Sequence, residues 1–361
     1  MIRLIRFEFE KIVNKKIVYA AIAFILIMGC AMCIGRGAGA QIVRKPDGSY
    51  LEGREAVRYD KEIAAEYEGI LTEKKVEEIL KTYSPSAEDG SFWGINNIYN
   101  SLVSHWGEMD GTYDGTDILS AFPNYRDDRP MVLGYNEGWL SFLETGAYMM
   151  IFIGCLLVIA LAPVFSEEYT RGMDALILTS RHGKRKCAWA KIIASYLFTF
   201  LSVGVWLLFQ SFVYWKDFGL DGSGASVQIN NHFLFFDVPY FLTNMGAAGY
   251  CLILWIGGSL ILTALVLLLS ALCRSSFAAV IAALACYVLP STLGQMGVPA
   301  EILSLNPTWD FLMETPLMIP KLSLMGGVQV SYVWVTAAFG LGMSVLSFVL
   351  CRRIFAKHQV T

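Results

Sequence analysis

The chain has 361 residues, 55% of them hydrophobic and 16% charged, with a formal net charge of -3. A mean hydropathy of +0.50 excludes the balance of a water-soluble domain and marks a membrane protein. The near-neutral total says little about partners, because the charges are segregated along the chain, and nucleic acid is not expected among them.

The opening "IRLIRFEFEKIVNKK" places residues 1–16 in an amphipathic interfacial helix. At about 100° per residue, Ile2, Ile5, Phe9, Ile12 and Val13 share one side, opposite Arg3, Glu8, Glu10 and Lys11, while Leu4 and Phe7 depart from the pattern. Such a helix would lie in the headgroup plane. The blander reading is a polar tail whose lysines only set topology; the continuous apolar side favours the helix.

Six runs then have the length and composition to span a hydrocarbon core: Ile17–Gly35, Gly146–Val164, Ile192–Tyr214, Gly246–Leu272, Phe277–Met296 and Val328–Cys351. A core of about 30 Å needs such lengths at about 1.5 Å per helical residue. None of the six contains Asp, Glu, Lys or Arg. The first could instead be a cleaved signal peptide followed by the small residues of "GAGA", but it exceeds the roughly 7 to 15 residues of an ordinary h-region.

Residues 36–145 form an expected extracellular domain between the first and second spans. Its segment "EGREAVRYDKEIAAEYEGILTEKKVEEILKTY" is charged and periodic, and Thr72 can cap a helix starting at Glu73 and ending near Lys81, in keeping with the helix dipole. "SFWGINNIYNSLVSHW" supplies aromatic residues for a small core, and "DGTYDGTDILSAFPNYRDDRP" is rich in turn formers. The reading is a compact, mainly helical insertion.

The remaining residues, 146–361, carry five further spans, a coupling loop at 166–187 and a broken-helix extracellular segment at 297–327 whose repeated prolines interrupt it. Pro163 and Pro290 fall within the second and fifth spans and are expected to kink them. Trp139, Trp189, Trp215 and Trp334 stand at predicted span ends as interface anchors.

Orientation follows from Lys and Arg, which concentrate in cytoplasmic loops. Arg3, Arg6, Lys11, Lys15 and Lys16 precede the first span; Arg171, Arg181, Lys184, Arg185, Lys186 and Lys191 follow the second; Arg274, Arg352, Arg353 and Lys357 lie at later ends on the same side. The short loops opposite offer only Lys216 and Lys321. Both termini are therefore expected in the cytoplasm of a multi-pass cell-membrane protein. The eight cysteines lie in or beside the spans and imply no disulfide framework, and Cys30 and Cys33 read as apolar filler rather than a metal pair.

The chain has no G-x-x-x-x-G-K-[ST] phosphate loop, and its spans carry no ionisable relay. The expectation is a transport subunit without its own ATPase site, binding no metal or cofactor, into which free energy enters from outside the bilayer. "SEEYTRGMDALILTSRHGKRKCAWAKI" is the largest feature on the basic side. Met173, Leu176 and Ile177, at i, i+3 and i+4, give a short helix one apolar side that a partner could cover, with Glu167, Glu168, Arg171 and Asp174 as its polar rim. A re-entrant turn whose lysines hold topology has the same charge pattern.

With its amphipathic N-terminal helix, six spans, the loop reading acidic pair, "RG" (Arg171, Gly172), "DALILTS", basic cluster and "AK" (Ala190, Lys191), and "LNP" at Leu305 to Pro307, the membrane portion resembles the permease subunits of ABC type-2 transporters. Many members have proline where this chain has Arg181. The resemblance implies that Glu167, Glu168, Arg171, Gly172, Met173, Asp174, Leu176 and Ile177 belong to a coupling helix docking on a separate ATP-binding subunit, with the N-terminal helix beside it. It further implies two permease chains, as a homodimer or heterodimer, and two ATPases, with the pathway at the dimer interface. Membrane lipid is the surrounding partner. An amphipathic or hydrophobic cargo such as a lipid, a drug or a peptide suits the uncharged spans.

Two other readings stand beside it. "EEYTR" is similar to the E-E-x-x-x-R of membrane prenyl-protein proteases, but Gly172 occupies the position that motif gives to arginine, and none of the four histidines lies in a span. A non-transporting sensor or peptide-immunity module would use the same fold, which does not fix function.

Overall fold

The structure, a computed structural model, describes residues 1–84, 95–107, 112–122, 124–173, 186–229, 238–298, 305–312, 321–323 and 329–357. In chain order its helices are α1 (Ile2–Val13), α2 (Lys16–Arg36), α3 (Gly53–Tyr67), α4 (Glu73–Tyr83), α5 (Asn97–Trp106), α6 (Glu137–Leu161), α7 (Pro163–Thr170), α8 (Ala188–Phe218), α9 (Asn244–Leu272), α10 (Ser276–Gln295), α11 (Pro307–Leu312) and α12 (Tyr332–Lys357). The described residues also form three two-stranded antiparallel ribbons: β1 (Ile42–Arg44) with β2 (Tyr50–Glu52), β3 (Gly69–Ile70) with β4 (Val132–Leu133), and β5 (Lys321–Ser323) with β6 (Gln329–Ser331). Among the described residues six helices are long and apolar enough to cross a bilayer, so the chain is an all-α integral membrane protein of multi-pass type.

Several expected span boundaries are corrected. The second helix begins at Glu137 rather than Gly146, the third runs Ala188–Phe218 rather than Ile192–Tyr214, and the last begins at Tyr332 because Gln329–Ser331 pairs as a strand. Ionisable side chains therefore do lie on these helices, Glu137, Glu144 and Lys191 among them. A hydropathy window stops at the first charge, whereas a helix continues wherever that charge finds a partner. Pro163 lies inside the second candidate span, Glu137–Thr170, as expected, and the helix is interrupted for one residue beside it, at Ala162. The proline opens α7, where a missing N–H costs nothing, and Ala162 keeps helical dihedrals, so α6 and α7 follow one another closely. Pro290 lies inside α10, which continues to Gln295.

The chain divides into two compact units. The inserted unit comprises residues 29–146 and, beyond the expected limits of 36–145, also 209–250. Its core comes from the apolar sides of α3 (Ala56, Val57, Ile63, Ala64), α4 (Val76, Ile79, Leu80) and α5 (Ile98, Tyr99, Leu102, Trp106). The expected cap is present: Thr72 Oγ1 accepts the Lys75 N–H at 3.4 Å, and Asn96 Oδ1 does the same for Tyr99 at 2.8 Å. Trp106 meets Phe122 edge-on at 5.7 Å.

The membrane unit comprises residues 1–28, 147–208 and 251–361. Its polar side chains bond within the bundle. Thr199 and Thr263 share a hydrogen bond of 2.8 Å, and Tyr196 and Ser347 one of 2.9 Å. Gly257 on α9 and Gly340 on α12 let two backbones approach closely: a methyl at Gly340 would stand 2.9 Å from the Gly257 carbonyl oxygen. In the broken segment, α11 is covered by protein, with Asp310 and Phe311 fully buried and the Trp255 indole donating to the Phe311 carbonyl at 3.1 Å.

Candidate functional site

The short helix α7 is tied to almost every other helix of the membrane unit. The first N–H groups of a helix have no intrahelical acceptor. Here those of Phe165 and Ser166 donate to one hydroxyl, Ser270 Oγ on α9, at 2.9 and 3.3 Å. At the other end Thr170 Oγ1 accepts the N–H of Ser276, the first residue of α10, at 3.2 Å. Phe165 and Tyr169 both pack on Phe355 of α12, at 5.5 and 6.1 Å between ring centres.

A buried ion cluster adds α1 and α8. Lys191, one turn into α8, has no solvent exposure, and its three ammonium protons match three acceptors. These are Glu168 Oε1 at 2.6 Å, Glu8 Oε2 at 2.9 Å and the Val164 carbonyl at 3.1 Å. Lys11 of α1 reaches the same Glu168 oxygen at 3.1 Å, so two cations face two carboxylates. Beside them Glu167 takes Lys15 on one oxygen at 2.8 Å and Arg171 on the other at 2.6 Å. Burial holds the Lys15 ammonium below its ordinary range, against the opposing pull of Glu167. Cys187 lies 3.8 Å from Glu8 Oε1. The donor atoms of Glu8, Glu168 and Cys187 all fall within 4.8 Å of one another, and the Lys191 ammonium, bonded to both carboxylates, already supplies the cation they face.

The helix then ends abruptly. Gly172 takes the left-handed φ of +63°, its N–H bonds the Tyr169 carbonyl at 3.1 Å, and the Met173 N–H bonds the Glu168 carbonyl at 2.9 Å. This pair of bonds is a Schellman stop, which favours glycine because it has no Cβ. The "RG" of the sequence is thus a helix terminator immediately before residues 174–185.

Of the residues singled out in the sequence, Glu167, Glu168 and Arg171 sit on or just after α7, Gly172 at its stop, and Met173 beyond it with 46% exposure. Asp174, Leu176 and Ile177 lie outside the described residues. Glu168 is not on an exposed rim: it is 3% exposed and holds two lysines. On the N-terminal helix, packing against protein takes in part of the apolar side together with Glu8. Ile12 is buried and Ile5 and Phe9 half-buried, with Phe9 6.4 Å from Phe198, but Ile2 is 83% exposed, and Glu8, expected opposite, is 5% exposed. The reason is Lys191, whose charge requires a carboxylate inside. The sequence reading missed Glu8, Lys11 and Lys191 as partners; the one available signal was the lysine of "AK", a charge at the mouth of an apolar run.

The model of one family, described as ABC-2 family transporter protein, matches residues 66–356. The chain belongs to this ABC-2 family. It is therefore a membrane-embedded permease subunit of an ABC transporter, a class of chain that associates with an ABC ATP-binding subunit. Comparison with curated proteins and with solved structures gives no match. In this ABC-2 permease the ion cluster joins α1, α7 and the first turn of α8, the elements on either side of residues 174–185.

Proposed function

We propose that this ABC-2 permease moves an amphipathic or hydrophobic substrate, such as a lipid, a drug or a peptide, across the cell membrane, using ATP hydrolysed on the separate subunit. The observation that carries this reading is the Glu8, Lys191, Glu168 and Lys11 cluster. It binds the helices flanking residues 174–185 to one another and to α1, so a force applied to that loop passes into α6, α7 and α8 together. Glu167, Glu168, Arg171, Gly172, Met173, Asp174, Leu176 and Ile177 form the docking hairpin on the cytoplasmic side, where both termini also lie. The permease works as a pair, with a copy of itself or a relative, and the inserted unit lies outside.

Affinity purification in mild detergent tests the docking. Replacing Met173, Leu176 and Ile177 together with Asp removes the co-purifying ATPase, while a chain altered only at the exposed Trp334 keeps it. Retention of the ATPase by the triple variant defeats the assignment. Reconstitution with that ATPase in vesicles then shows net movement of cargo; ligand-stimulated hydrolysis with no movement would indicate a sensor instead.

A further inference from the structure

The inserted unit buries a second set of charges that the docking reading does not use. Asp60 on α3 is 4% exposed, and its Oδ1 accepts the N–H of Asn97, the first residue of α5, at 2.8 Å. The Asn97 amide donates at 3.5 Å to Oε2 of Glu137, the first residue of α6, and its own Oδ1 accepts the Asn136 N–H at 3.0 Å. Asn136 Oδ1 accepts in turn from the amide of Asn244, the first residue of α9, at 2.7 Å. One asparagine thus holds two carboxyl groups and connects them to the starts of two long helices. Three polar atoms of the same region, Tyr135 Oη, Asn136 Nδ2 and Asn244 Oδ1, are enclosed with no hydrogen-bond partner among the described residues.

Among the described residues no cation stands at ion-pair distance from either carboxyl. Lys61, next to Asp60, pairs with Asp221 at 2.7 Å, and Arg36 pairs with Glu144. The charge acting on Asp60 is that of Glu137, which Arg36 in turn faces; Asp60, Glu137 and Asp221 bear on Tyr135, with Lys61 over its ring, and Asp47, Asp60 and Glu62 bear on Tyr59. Burial pushes the Asp60 carboxyl up to about 8; the Asn97 N–H opposes this and the charge of Glu137 adds to it.

We propose that Asp60 and Glu137, sharing Asn97, form a proton-operated joint that sets how firmly the first turns of α6 and α9 are held. With a proton on Asp60 the buried pair carries at most one negative charge. When that proton leaves, two negative charges repel each other across Asn97 in a site with little water, and the cost of burying the second charge favours opening of the segment that carries Asn97, its bond from Asn136 and, through Asn136, the bond from Asn244. The joint needs no partner subunit and is independent of the docking hairpin.

The test uses the full chain in phospholipid nanodiscs. Amide exchange, corrected for intrinsic rate, is followed at residues 97–100, 137–141 and 244–247 from pH 6 to pH 9. In the wild type, protection at all three falls by about tenfold through the upper part of this range, while in Asp60→Asn it stays high and flat. Equal profiles in the two proteins overturn the proposal. If Asp60→Asn does not fold, Glu137→Gln serves: removing the neighbouring charge moves the wild-type transition down by about one pH unit, and an unmoved midpoint is fatal. The infrared band of a protonated carboxyl, lost across the same interval, reads the proton directly.

Discussion

Lys191 and Glu168 meet at 2.6 Å, the lysine side chain fully excluded from solvent and the glutamate 4% exposed. The two residues stand on opposite sides of residues 174–185 in the chain, so the pair ties together the two helices that flank them. Burying both ions is costly, and their attraction compensates only because Glu8 and the Val164 carbonyl complete the ammonium shell. The cluster therefore contributes geometry more than net stability.

Lys191→Met leaves Glu8 and Glu168 buried, with Lys11 on one side only. It is expected to cost about 3 to 5 kcal/mol, seen as a large drop in thermal midpoint in detergent. Combining it with Glu8→Gln and Glu168→Gln recovers most of that loss. Full activity of this uncharged variant would show that neutral packing holds α1, α7 and α8 together equally well.

Ser270→Ala removes the acceptor of two backbone N–H groups at the start of α7. A loss of about 1 to 3 kcal/mol is expected by thermal unfolding, with Ser270→Thr close to wild type because it keeps the hydroxyl.

Gly172→Ala meets open space, so any penalty comes from the backbone alone. At φ +63° it is expected to cost about 1 kcal/mol, and Gly172→Asn less, since asparagine tolerates this region. Equal stability of all three proteins would mean that α7 ends differently.

His105 packs against Trp106 and Phe122 at 5.1 and 4.8 Å, and burial pushes its pKa down to about 4. The unfolded imidazole takes a proton near pH 6.5, whereas the folded one waits until about 4. The unfolded state thus binds more protons in this window, and stability present above pH 6.5 is lost as pH falls toward 4. Asp60 has the opposite sign: its carboxyl, raised to about 8, lowers stability as pH rises from about 4 to about 8. His105→Phe is expected to lessen the loss of thermal midpoint as pH falls from 6.5 toward 4, and Asp60→Asn to lessen the loss as pH rises toward 8.

The six spans were legible because a bilayer imposes one length and one composition, and Thr72 because a cap acts over three residues. The burial of Glu8 was not, since its partner Lys191 lies 183 residues away and nothing local separates it from solvated Glu10. For the same reason Glu168 read as part of an exposed rim. The start of α6 was missed because Glu137 and Glu144 break the apolar run, although Gln41 and Asn97 bond the first and Arg36 pairs with the second. The proposed docking residues rest on the "RG" and the apolar spacing after it.

The inserted unit draws on residues 29–146 and again on 209–250. Asn97 and Asn136 leave the ribosome well before Asn244, whose amide their network receives. Until the third membrane crossing is in place, the earlier stretch waits with its acceptor empty. Assembly of this unit is thus timed by insertion of the bundle, and a nascent chain halted before residue 209 would expose an unfinished core to quality control.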